Sequence, residues 1–279
     1  MNSDIHKMIS TLSYHNKLQN APEVVNSLTS SAIRIFNSAS YKINSTLAFL
    51  NVTNSTATKP FGESYQNLEH AAVTMNLMKK LLNNSISSDQ LLILISYQAQ
   101  YCLYLQAWLE LQIKWNDAKI HNILVQKIDD FQKKQQQVCI LDLTVTNRLS
   151  FLKEANCVNV GISHACWSLY IIGNIKELKK ALATSKNHKQ NMFMFNMISY
   201  CKKNGLIYQV TDTVTSEFIS SKRSITRHPE FLQESVCINN PSNNDSINNQ
   251  NAVSADEDSV DDNKNEKMKN NNISHEMFW

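Results

Sequence analysis

The fold class this sequence predicts is all-α: a helical solenoid of antiparallel helix pairs with one short extended arm after the last long helix. Three observations lead there. The 279 residues hold only four Gly and four Pro, and neither GxGxxG nor GxxxxGK[ST] occurs. That scarcity disfavours turn-dense β sandwiches and glycine-built phosphate loops. Apolar residues recur at three- and four-residue steps through most of the chain. Finally, "LLILISYQAQYCLYLQAWL", residues 91 to 109, runs without a formal charge, as expected of a helix enclosed by neighbours. Its polar Ser96, Gln98, Gln100 and Gln106 argue against a membrane span, because each would enter hydrocarbon unpaired.

Taken in order, residues 22 to 50 read as one or two helices with Ile33, Phe36, Tyr41, Leu47 and Phe49 as core candidates. The loop "NVTNSTATKP", 51 to 60, ends this first segment, 1–60. A core domain, 61–218, follows. In "FGESYQNLEHAAVTMNLMKKLL" the residues Tyr65, Leu68, Ala72, Met75 and Leu82, with Ala71 and Met78 beside them, form one stripe of a helix. "SSDQ", 87 to 90, supplies an N-cap before the charge-free stretch, so the two helices form a tight antiparallel pair of the TPR-like kind. Further helices are predicted near 117 to 136, 139 to 154, 160 to 185 and 189 to 204, with Gly173 breaking or bending the one at 160 to 185. Asn204 and Gly205 then cap a helix, and "LIYQV" continues as the extended arm, Gly205, Ile207 and Tyr208 being its structural residues.

Residues 219–238 read as a linker and 239–279 as a disordered acidic tail. The tail carries 12 Asn and a net charge of −5, leaving the first 238 residues at +8. Such a surplus permits weak contact with an anionic membrane surface, and no nucleic-acid motif accompanies it. The six cysteines are widely spaced and Met1 is followed by "NSDIHK", which predicts a reduced, cytoplasmic protein. Cys157, His164 and Cys166 are the nearest approach to a metal set, without a fourth ligand or a CxxC knuckle, and His164 has no orienting partner that would make Cys166 a nucleophile. Asp129 and Asp130 are adjacent and cannot flank one bond. The expectation is therefore no catalytic residue, no metal and no cofactor.

Three pieces in order, "ESYQNLEHAAVTMNLMKKLL", "SSDQLLILISYQAQYCLYLQA" and "CKKNGLIYQV", resemble the Bro-one domain family of the ESCRT membrane-remodelling pathway, nearest its Brox branch. Tyr97, Gln98, Ala99 and Gln100 stand where that family has an Ala-Gln-Ala-Gln-like core, and Gly205 to Tyr208 where it has its Phe-Ile-Tyr turn. The resemblance covers residues 61 to 215 and departs from the family in the amino-terminal section and the carboxy-terminal lipidation box. It implies a non-enzymatic adaptor, on endosomal or nuclear membranes, that binds the C-terminal amphipathic helix of ESCRT-III subunits. The implied partner-binding residues are Leu103, Ile120 and Leu124. A helical-repeat scaffold outside the ESCRT system is the alternative reading.

Overall fold

The computed structural model describes residues 1–19, 28–60, 62–115, 122–131, 134–144, 155–184 and 188–210. Its centre is a six-stranded sheet in the order β3-β2-β4-β5-β1-β6, with every neighbouring pair parallel. The strands are β1 (Leu47–Asn51), β2 (Leu91–Ile95), β3 (Leu124–Lys127), β4 (Gln136–Asp142), β5 (Ala165–Gly173) and β6 (Ile207–Gln209). Around them lie α1 (Ser3–Ser13), α2 (Leu28–Tyr41), α3 (Leu68–Asn83), α4 (Gln98–Trp115), α5 (Ala155–Ser163), α6 (Ile175–Thr184) and α7 (His188–Lys203). The protein is thus mixed α/β, and the predicted all-α solenoid is wrong.

The error has a definite physical source. A strand in the middle of a parallel sheet is covered on both faces and reads as an unbroken apolar run, with none of the alternation that betrays a half-exposed strand. All five residues of β2, "LLILI", are buried, as are all five of β1, "LAFLN". The charge-free stretch is therefore a strand, a two-residue turn and the first part of a helix, not one helix. The Ser87–Gln90 capping box is present, but it closes a single 3-10 turn that feeds β2. Within 160 to 185, β5 occupies the middle, and Gly173 ends that strand rather than bending a helix. Gly173 is the residue that fits there: a Cβ would lie 2.9 Å from Phe49 Cζ and 3.0 Å from Leu143 Cδ1.

The strand order dictates where the helices go. Parallel strands need right-handed crossovers. The connections β1→α3→β2 and β2→α4→β3 step one way along the sheet, whereas β4→α5→β5 and β5→α6→α7→β6 step the other. The two groups therefore cover opposite faces, and α3 packs with α4 while α5 and α6 each pack with α7. Helix α1, which begins with Asn2 capping its first turn, packs on α5 and α7 through Ile5, Met8 and Ile9.

Several expected residues change role in this architecture. Leu103 lies on α4 and is buried at 3% exposure, so it belongs to the core. Leu124 opens β3 at 38% exposure, on a strand rather than a recruiting helix. Ile120 falls outside the described residues, as do the stretches read as linker and tail. Gly205, at φ +65°, closes α7, and Ile207 and Tyr208 pair with Phe49 and Leu50 as an edge strand instead of strapping a solenoid. No described helix is long and apolar enough to cross a membrane.

Candidate functional site

Because all six strands run the same way, Asn51, Ile95, Lys127, Asp142, Gly173 and Gln209 end at one edge of the sheet. Ligands of open α/β sheets bind outside these carboxyl ends, where neighbouring strands send their connections to opposite faces. Here the condition is met twice, between β5 and β1, which continue into α6 and α3, and between β2 and β4: β2 continues into α4 on one face, β4 toward α5 on the other.

That crevice is filled by the protein's own polar side chains. Asp142, the last residue of β4, has no exposed surface and accepts four hydrogen bonds. Its Oδ1 takes His70 Nδ1 at 2.8 Å and the Thr144 amide at 2.7 Å; its Oδ2 takes Gln100 Nε2 at 2.6 Å and the Tyr104 hydroxyl at 2.8 Å. Gln100 also exchanges bonds with the backbone of Asn67, accepting its N–H at 2.7 Å and donating to its carbonyl at 3.1 Å. Burial, and then the neighbouring Asp142 carboxylate, hold the Tyr104 phenol well above its ordinary titration range, so it remains a donor. A buried carboxylate is tolerated only when so satisfied.

Thr144 sits in the left-handed region at φ +58°, where a β-branched residue carries strain on the order of 1–3 kcal/mol. The network over-determines it: Asp142 holds its N–H and Asn67 Nδ2 holds its carbonyl at 3.0 Å. The cluster thus ties the end of β4 to the starts of α3 and α4.

Ser55, His70 and Asp142 have the spacing of a nucleophile, base and orienting acid, with Ser55 Oγ 3.1 Å from His70 Nε2. They are not a hydrolytic triad. Ser55 is 4% exposed and its hydroxyl also donates to the Val52 carbonyl at 2.8 Å, so no substrate reaches it. Cys157, His164 and Cys166 do not assemble either. His164 Nδ1 bonds the Lys134 carbonyl, Cys166 donates to Gln135 Oε1, and no group able to hold a metal ion is found among the described residues.

Helix N-termini at this edge are the usual phosphate sites. Three of them are already used internally. Asn67 caps α3 by accepting from the His70 amide, Ser64 Oγ accepts from the Ala99 amide in the first turn of α4, and α6 donates its Ile175 and Glu177 amides to Asn51 and Asn174. Together with the lack of a GxxxxGK[ST] sequence, this leaves no triphosphate cradle on these elements.

Among the described residues, the β1–α3 loop and the start of α6 offer exposed surface at this edge. The described residues of the connection between β1 and α3, 52 to 60 and 62 to 66, are held by their own contacts. Thr58 and Gln66 exchange two backbone bonds of 2.8 Å, Lys59 pairs with Glu63 and lies over the Tyr65 ring, and Tyr65 packs edge-on against Tyr97. Asn174 Nδ2 fastens the tip of the loop to α6 through the Thr53 and Ser55 carbonyls, leaving Thr53 and Asn54 exposed. Sequence reading missed this site because Ser55, His70, Gln100, Asp142 and Asn174 come from five separate segments. Gln100 and Tyr104, one helical turn apart, give a local sign of it.

An open, all-parallel six-stranded sheet with helices on both faces is consistent with a P-loop-helicase-like α/β fold. The chain belongs to the AAA domain family, whose profile matches residues 1–176. It is 26% identical over 162 residues, 53% of its own length, to an NFX1-type zinc finger-containing protein 1 homolog of Caenorhabditis elegans. It is 28% identical over 134 residues, 47% of its length, to an uncharacterized ATP-dependent helicase of Methanocaldococcus jannaschii. It is 24% identical over 135 residues, 48% of its length, to the mouse 5′-3′ DNA helicase ZGRF1. The matches span only 6%, 18% and 7% of those relatives. The family match overturns the Bro-one resemblance and, with it, the ESCRT-III partner. Relatives that are ATP-dependent or DNA helicases also overturn the expectations of a non-enzymatic adaptor and of no nucleic-acid partner.

Proposed function

We propose that this chain is the nucleic-acid-engaging lobe of an ATP-driven helicase-type enzyme, with the loop that cradles the triphosphate supplied by a segment outside these 279 residues. The observation that carries the reading is that the AAA domain match, 1–176, covers five of the six strands of the parallel sheet and ends just past the carboxyl end of β5. The capped helix starts and the missing P-loop sequence support the second half. In such enzymes phosphoryl transfer rests on positioning and charge, and the nucleic acid is gripped mainly through its backbone.

The test is fluorescence anisotropy of a labelled single-stranded oligonucleotide titrated with the full chain at several salt concentrations, alongside ATP titrated by calorimetry. Binding that weakens linearly with the logarithm of salt is expected, with no saturable ATP binding by the chain alone. No oligonucleotide binding at any salt would refute the nucleic-acid half. Saturable ATP binding would refute the external cradle.

A further inference from the structure

The carboxyl edge has a charge pattern that the proposed function does not use. Among its described residues four acidic groups are engaged: Glu63 with Lys59, Asp130 with Lys127, Glu177 with Lys180, and Glu69, whose Oε2 accepts from the Thr56 amide. Lys176 and Lys179 are different. Both are exposed on the first two turns of α6, three residues apart and so on one face, and neither has an ion-pair partner among the described residues. Helix α6 begins directly beside the end of β1, because Val52 N bonds the Gly173 carbonyl and Ile175 N bonds Asn51 Oδ1. The loop tip that carries the exposed Thr53 and Asn54 is thereby tied, through Asn174, to the start of the helix that carries these two lysines.

Resting on the reading above, we propose that Thr53, Asn54, Lys176 and Lys179 form a contact strip for the sugar–phosphate backbone of a single-stranded nucleic acid. The chemistry fits a repeating phosphodiester. Lysines supply point charges for successive phosphates, and hydroxyl and amide side chains supply sequence-independent hydrogen bonds. The strip lies beside the filled crevice, so the strand crosses over the ends of β1 and β5 rather than entering between β2 and β4. Asn174, by holding the loop tip to α6, is a positioning residue for the strip.

The experiment measures the affinity of the full chain for a labelled oligo-dT and an oligo-U as a function of salt. It compares wild type with Lys176→Glu/Lys179→Glu, Thr53→Ala/Asn54→Ala, and the control Lys202→Glu/Lys203→Glu, whose lysines end α7 at the opposite edge. Circular dichroism follows each variant. Loss of at least about tenfold in the Lys176/Lys179 variant, with a salt slope shallower by about 1.4, is expected for two lost phosphate contacts. The Thr53/Asn54 variant should lose less and keep the wild-type slope, and the control should stay near wild type. Binding by wild type with no change in the Lys176/Lys179 variant, or equal losses there and in the control, overturns the strip alone. Failure of wild type to bind either oligonucleotide overturns the parent reading as well.

Discussion

The middle of β4 and its last residue lie within one strand and solve opposite problems. Val138, Cys139, Ile140 and Leu141 are buried at 1% exposure or less among other apolar side chains, and the thiol of Cys139 is pushed up by that burial. One residue further on, Asp142 is equally buried but saturated by four polar donors. Apolar packing is non-directional and tolerates exchange of similar shapes. A buried carboxylate depends on every one of its partners. The sheet interior therefore holds the fold together, while the polar edge fixes which loops and helix starts stand at the ligand surface.

The sharpest way to break that contrast is Asp142→Ala. It leaves His70 Nδ1 and the Thr144 amide without their acceptor, reduces Gln100 and Tyr104 to the Asn67 carbonyl and Thr74 Oγ1, and should cost about 3–5 kcal/mol in urea unfolding. Gly173→Ala tests the close approach at the neighbouring strand end. Its new methyl would press on Phe49 and Leu143, costing about 1–3 kcal/mol in the same measurement. Ile140→Val, two residues before Asp142, should cost only about 0.5–1.5 kcal/mol. A cost as large as that of Asp142→Ala would erase the distinction between interior and edge.

The smallest effect expected is a pH dependence at the opposite end of the sheet. Burial lowers the pKa of His164 from 6.5, more than its bond to the Lys134 carbonyl raises it. The unfolded chain then takes up the proton first, so this contribution is complete above 6.5 and is lost as pH falls toward the lower folded value. His164→Gln should flatten the decline of the urea midpoint below 6.5 and leave the midpoint above 6.5 less affected. A steeper acid decline in that variant would reverse the sign.

How much of this was legible in the sequence depends on the range of the interaction. The stripe of Ala71, Met75 and Met78 is local, and α3 forms there with those residues buried. The run "LLILI" is also local but carries no period, and its short length before Ser96 and Tyr97 was the available hint of a strand. "IIGN" is similar: Ile171, Ile172 and Gly173 end β5, and Asn174 starts α6 by accepting from the Glu177 amide. The edge network was hidden for a different reason. His70 and Asp142 are 72 positions apart, and only closure of the sheet brings them to 2.8 Å. Lysines were visible as a surplus, but their meaning lies in where the fold places them, Lys176 and Lys179 at the carboxyl edge and Lys202 and Lys203 at the opposite one.

Hydrogen–deuterium exchange of the full chain, with and without a single-stranded oligonucleotide, tests the central claim most directly, because it locates the contact without altering a residue. The account predicts added protection in peptides covering Val52–Thr58 and Asn174–Lys180 at the carboxyl edge, and none at Lys202–Gly205 on the opposite edge. Protection confined to Lys202–Gly205, or no protection at either edge under conditions where the oligonucleotide is bound, would contradict it.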